Sequence, residues 1–232
     1  SYWTMDEDSG SLVLDAKRIN NGTATGTTIV DGKVNKGRSF NGTSDYITLP
    51  SGFSDFTKGF TVSLWANPTS SANYARFIDF GEVEGVPNTN IVFGRKGTSN
   101  DIFWCTADSV CINGGANMII NNEWHLYTAT VNENGLGQVF RDGILMGSSQ
   151  MVIPLNVSRS SNFIGKSNWF GDSLYQGYMD EVKIYNIAKT KDEIQRMYNE
   201  GLEYRSNRIG STVNDGLISY WKMDETSGSV VG

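Results

Sequence analysis

Histidine and cysteine are almost absent from this chain: one histidine, His125, and two cysteines, Cys105 and Cys111, in 232 residues. That scarcity argues against a zinc site, which needs several such ligands at CxxC-like spacing. It also leaves His125 without a second histidine or an accompanying nucleophile, so a structural role is expected for it. Proline is sparse, 4 against 26 glycines, so the chain is expected to bend at many tight turns rather than to run through a disordered linker. No run of about 18 apolar residues is present, which excludes a membrane-spanning helix. Basic charge is short as well: the net charge is -6 and the pI ≈ 4.8. No basic stripe is available to neutralise phosphates, so a nucleic-acid partner is not expected. A secretory leader is also missing, and the chain opens in mid-pattern, as an excised segment of a longer protein would.

What is present is a large supply of short strands. Hydrophobic residues make up 38% and aromatics 12%, enough for a sizeable core. Phe60 to Pro68 alternates Phe60, Val62 and Leu64 with Thr61, Ser63 and Trp65. Arg76–Gly81, Asn90–Gly94, Asp101–Cys105 and Glu123–Val131 read the same way, and Gln138 to Leu145 reads as a hairpin turning at Asp142-Gly143. Strands every 8–15 residues separated by glycine turns predict an all-β sandwich. Trp3, Trp65 and Trp124 are expected in its core. Two readings stay open for WCTADSVCING: a Cys105–Cys111 disulfide closing a small hairpin in an oxidising compartment, or two free, half-buried thiols.

The stretch from Gly177 to Gly201 is a strand running into a helix. On the strand, Tyr178, Asp180, Val182 and Ile184 share one face, which is expected to meet the core. A carboxylate there needs a cation or several donors. Thr190 and Glu193 form a capping box for the helix, Ile194, Met197 and Tyr198 its apolar stripe, and Gly201 its stop. A second signal joins the two ends. SYWTMDEDSGSLV at residues 1–13 recurs as SYWKMDETSGSVV at 219–231. The expected organisation is therefore one domain over 1–202, a linker over 203–216 and, over 217–232, the first strand of a following repeat, within a tandem array. Two copies of one strand with a single place to dock also raise the possibility of strand-swapped self-association.

GYMDEVKIYN with RMYNEG, together with VDGK, NGTSDYITLP, FTVSLWANP, WHLYTAT and FIGKSNW, resemble the successive motifs of the LamG-like jelly-roll domains in the concanavalin A-like lectin/glucanase superfamily. The resemblance runs from Ser1 to about Gly201. It implies a two-sheet antiparallel jelly-roll sandwich with one short C-terminal helix. It also implies a structural calcium ion between the first and last strands. Asp180 and Asp6 match the acids of those strands, and Asp15 or Asn20 would complete the oxygen set. The alternative for Asp180 is a set of backbone N–H donors or a pairing with Arg38 or Lys36.

The superfamily includes glycoside hydrolases and polysaccharide lyases. Glu82 and Glu84, beside Gly81 and Gly85, are the nearest approach to a spaced pair of acids, but they read as a solvated loop. Sugar recognition needs aromatic platforms ringed by polar side chains. Trp169 with Asn168 and Tyr175, joined by Trp104 and Arg76, supplies that chemistry, and Arg76, Arg95 and Lys96 would suit an acidic sugar. The reading is a non-catalytic module binding a glycan or a glycosylated surface, in a large secreted or cell-surface protein. An adhesion or spacer repeat, and a hydrolase or lyase of the same fold, are the alternatives.

Overall fold

Side chains alternating every second residue build two antiparallel sheets that close on a shared apolar layer. The structure, a computed structural model, describes residues 1–53, 55–81, 89–106, 111–113 and 117–213, with the backbone alone at 113 and 204–213. In the first sheet the order is β14 (Ile144–Gln150), β13 (Leu136–Arg141), β12 (His125–Asn132), β7 (Gly59–Pro68), β16 (Gln176–Tyr185), β5 (Lys36–Asn41) and β4 (Thr28–Asp31). Strand β1 (Tyr2–Trp3) joins β16 beyond the end of β5, with Tyr2 opposite Lys183 and Trp3 opposite Val182. The second sheet runs β11 (Cys111–Asn113), β10 (Ile102–Cys105), β9 (Ile91–Arg95), β8 (Arg76–Gly81), β15 (Ser161–Ile164), β6 (Tyr46–Leu49), β3 (Gly22–Thr25) and β2 (Leu12–Val13). This is the jelly-roll sandwich implied by the sequence. Helix α1 (Lys191–Val213) follows the last strand. Among the described residues no helix is long and apolar enough to cross a membrane.

The core is strongly aromatic. Phe60 stacks on Trp104 with ring centroids 5.7 Å apart, and Phe53 on Phe80 at 5.0 Å. Trp3 is fully buried, and its indole N–H donates to the Asn20 carbonyl at 2.8 Å, so the ring enters the core without losing a hydrogen bond. The other expected core tryptophans lie elsewhere. Trp65 is buried on the far face of β7, between Tyr198 and Lys33. Trp124 is only half-buried, near Tyr178. The hairpin does turn at Asp142-Gly143, where both residues have positive φ (55° and 78°), as a type I′ turn requires. The Asp142 carboxylate then holds His125 Nδ1 at 2.5 Å and the Leu126 N–H at 2.9 Å, a structural use of the lone histidine.

Two expectations about the closing strand and helix need correction. Asp180 does not share the face of Val182 and Ile184. A bulge between Asp180 and Lys183, with Glu181 at φ 54°, shifts the alternation by one residue. Met179, Val182 and Ile184 therefore all point into the core, and Asp180 points away from it, under the 32–36 loop. Nor does the helix stop at Gly201. The capping box forms as read, with Glu193 N–H on Thr190 Oγ1 at 3.3 Å and Thr190 N–H on Glu193 Oε2 at 2.8 Å. The helix then passes through Gly201 to Val213 and takes in the start of the stretch read as a linker. Gly201 is needed for close approach instead: a Cβ there would lie 2.6 Å from the Trp65 ring. The duplicated segment 219–231 lies outside the described residues, as do Glu82 and Glu84.

Candidate functional site

Alternation on the second sheet decides which side chains leave the core. On β10, Ile102 and Trp104 point inward, so Phe103 and Cys105 point outward. On β9, Val92 takes the outward position between Ile91 and Phe93. On β8, Arg76 and Asp79 do so, although both are buried by what lies over them. That cover is the loop following β15, residues 165–175.

Asp79 anchors the loop. Its Oδ2 accepts the Asn168 N–H at 2.9 Å, and its Oδ1 accepts Asn168 Nδ2 at 2.8 Å and Asn90 Nδ2 at 3.0 Å. Burial pushes the Asp79 carboxyl up to about 6, even with these donors and the Arg76 guanidinium holding it down. Asn168 also donates to the Ser161 carbonyl and accepts from Ser161 Oγ. Asp172 closes the far end of the loop, accepting Arg76 Nη2 at 2.8 Å and Ser167 Oγ at 2.8 Å. Fixed in this way, the loop presents Trp169 half-buried and Phe170 at 97% exposure.

Between the loop and the strands lies a pocket of ≈ 400 Å³ lined by Tyr74, Arg76, Phe103, Trp169, Phe170 and Asp172, with Val92 and Cys105 at its base. The Arg76 guanidinium is surrounded by aromatic faces, 5.1 Å from the Phe103 centroid, 5.3 Å from Tyr74 and 5.7 Å from Trp169. Its Nη1 is buried without a hydrogen-bond partner. A buried donor left unmade beside an aromatic pocket favours a ligand that brings an acceptor. Cys105 is joined to Cys111 in a disulfide across the β10–β11 register.

Of the residues predicted from sequence, Trp169 and Arg76 meet in this pocket. Asn168 is buried and positions the loop. Trp104 and Tyr175 belong to the interior. Trp104 is 0% exposed and donates to the Thr130 carbonyl, and Tyr175 is 2% exposed with its hydroxyl on the Tyr178 carbonyl. Phe103 is the lining aromatic that the sequence reading passes over, while Phe170 and Tyr74 stand within two residues of the predicted Trp169 and Arg76. The signal for Phe103 was available, since it alternates with two residues that must be buried. Arg95 is spent internally, on the Ser99 and Ser70 carbonyls and the Asn100 and Asn121 side chains, so it does not serve a ligand.

The acids proposed for calcium divide into two groups. Asp180 and Asp6 converge on the 32–36 loop: Asp180 Oδ2 accepts the Val34 N–H at 2.7 Å, and Asp6 Oδ1 accepts the Lys36 N–H at 2.9 Å. Gly32 permits this, because a Cβ there would meet Asp180 Oδ2 at 2.6 Å. Asp180 Oδ1 is buried without a partner. Burial pushes this carboxyl up to about 9 against the pull of the Val34 N–H, and the charges of Glu181 and Asp6 add to the rise. Asp15 and Asn20 are not brought to that point. Asp15 accepts the N–H groups of Tyr2 and Asn20, and Asn20 supports Trp3 and Ser1, so both fix the first strand. Among the described residues no three acidic, histidine or cysteine side chains are grouped to hold a metal. Arg38, the alternative partner considered for Asp180, pairs with Glu7 at 3.2 Å.

Residues 41–195, more than half of the chain, match the Laminin_G_3 family model of the concanavalin A-like lectin/glucanases superfamily, and the chain belongs to that family. No curated protein sequence matches it. Among solved structures, domain 4 of AbnA, an extracellular GH43 arabinanase of Geobacillus stearothermophilus, in complex with arabinotriose, is similar at TM-score 0.70 and 23% identity. That match covers 85% of this chain and 97% of the other. The binding domain of Paraclostridial Mosquitocidal Protein 1 is similar at TM-score 0.59 and 18% identity, over 83% of this chain and 50% of the other. Trypanosoma rangeli sialidase reaches TM-score 0.65 at 14% identity, over 85% of this chain and 32% of the enzyme. At these identities the likeness is one of fold.

Proposed function

We propose that this chain is a non-catalytic carbohydrate-binding module of an extracellular multidomain protein. One observation carries the reading. Phe170, a large apolar side chain at 97% exposure, is held out on a firmly anchored loop beside half-buried Trp169 and the unpaired Nη1 of Arg76. Exposing such a ring brings the fold nothing, while a sugar face of C–H groups can stack on it and sugar hydroxyls can meet Arg76 and Asp172. The arabinotriose held by the similar arabinanase domain supports the class of ligand, and the disulfide supports an oxidising compartment. Hydrolysis is the weaker reading. Of the two acids at the site, Asp79 is buried among donors and Asp172 is paired with Arg76, so neither is free to act as acid or nucleophile. The spacer reading draws on the 218-residue recurrence of the first strand (219 − 1).

A glycan array probed with the whole chain tests the proposal. Trp169→Ala and Phe170→Ala should each abolish or strongly weaken the array signal, and Phe170→Ala should leave the melting temperature unchanged. An array blank for the parent chain would favour the spacer.

A calcium ion at Asp180 belongs to the same proposal as a structural element. The buried, unpartnered Asp180 Oδ1, with Glu181 and Asp6 close enough to raise its proton affinity, suits a hard divalent cation. Asp180 and Asp6 would supply carboxylate oxygens and the 32–36 loop backbone carbonyls. The ion would take the place of the proton that burial otherwise holds on this carboxyl.

A further inference from the structure

A second pocket, of ≈ 450 Å³, lies across the same loop, and it shares Trp169, Phe170 and Asp172 with the first. Its own walls include Tyr46 and Phe163, packed edge to face at 5.8 Å, with the hydroxyl residues Thr43 and Ser161. Lys166 Nζ stands 4.6 Å from the Tyr46 centroid and 4.5 Å from that of Phe163. Among the described residues Lys166 forms no ion pair. The carboxylate that lines the pocket, Asp172, holds Arg76 and Ser167, and Asp45, next to Tyr46 in the chain, accepts the Asn41 N–H and the Ser44 hydroxyl.

The two pockets therefore differ in charge. In the first, the Arg76 cation is met by Asp172 at 2.8 Å and by Asp79 at 4.0 Å, which leaves no unmatched positive charge. In the second, one ammonium group is fixed over two rings with no counter-ion, in a chain whose net charge is -6. A lysine held against aromatic faces has lost part of its water shell, so an anion that reaches it meets a stronger field than at an open surface. Because Trp169, Phe170 and Asp172 line both pockets, the two adjoin and can take neighbouring parts of one chain ligand.

We infer that the second pocket is a subsite for an anionic sugar substituent, a carboxylate or a sulfate ester, read by Lys166 while a neutral ring of the same glycan occupies the Trp169–Phe103 pocket. This inference rests on the carbohydrate-binding reading and adds the charge class of the ligand. It also moves the source of acid preference away from Arg76, Arg95 and Lys96.

The test uses the whole chain against oligosaccharides arrayed as matched neutral, uronate-bearing and sulfated sets, at low and high salt. Parent, Lys166→Met and Trp169→Ala chains are compared; methionine keeps the contact with the rings and removes the charge. The parent is expected to bind one anionic set at least tenfold more tightly than its neutral match at low salt, and this advantage should shrink at high salt. In Lys166→Met the anionic-to-neutral ratio should fall to about one. Which set shows the advantage distinguishes carboxylate from sulfate. Equal binding of anionic and neutral sets by the parent, or a preserved ratio in Lys166→Met, overturns the subsite. If the neutral set still binds the parent and is lost in Trp169→Ala, the carbohydrate reading survives that failure. If no set binds the parent, both readings fall together.

Discussion

Phe103 and Trp104 are adjacent in sequence and differ completely in what they do. The strand pleat turns one toward the pocket and the other toward Phe60 and Phe93. Substitution should separate them cleanly. Trp104→Ala empties a core position and should cost about 3–5 kcal/mol of stability. Phe103→Ala should stay within about 1 kcal/mol of the parent and weaken glycan binding roughly tenfold, or about 1.4 kcal/mol. Denaturant midpoints and titration calorimetry on both variants check this, and a strongly destabilised Phe103→Ala would return that ring to the core. Trp169 and Asn168 were legible in sequence because aromatic and polar residues cluster in one glycine-flanked loop, and Arg76, on β8, as a cation two residues from Tyr74. Their division into contact and support was not. It depends on Asp79, a strand residue 89 positions from Asn168, whose carboxylate binds that side chain.

At the scale of elements, β16 and α1 show how one local deviation redirects chemistry. The bulge at Glu181 sends Asp180 out of the core and under the 32–36 loop, where Asp6 also arrives. If an ion sits there, it binds only the folded state and stabilises it by mass action. EDTA is then expected to lower the melting temperature of the parent by several degrees and to leave that of Asp180→Asn unchanged. An identical response in both chains would remove the site. For the helix, Gly201→Ala offers a reversal of sign. Alanine in place of glycine inside a helix normally adds about 1 kcal/mol. Here the new Cβ would press at 2.6 Å on the buried Trp65 ring, so the substitution should lower the melting temperature. A gain in stability would show that the indole yields without cost.

For the whole molecule, the first strand has one docking place, beside the second half of β16, and the sequence carries two segments that fit it. Strand exchange between copies predicts that the full chain self-associates with rising concentration, whereas a chain ending at Val213 stays monomeric. Matching sedimentation of the two chains would dismiss the exchange. The sequence alone determined the sandwich, the hairpin at Asp142-Gly143 and the capping box at Thr190, because each follows from interactions among residues close in the chain: period-two alternation, positive-φ turn chemistry and a side chain reaching three residues along. Only the tertiary structure decided the face of Asp180, the length of α1 and the membership of the pocket. A bulge shifts alternation without a sequence mark of its own, since Glu181 is an ordinary residue held at φ 54° by its surroundings. Gly201 carries the spelling of a helix stop, but the side chain packed against it comes from β7. The outward faces of the second sheet become pocket or cover according to where a loop over a hundred residues from β6 comes to rest, and that is fixed by long-range hydrogen bonds that no local pattern encodes.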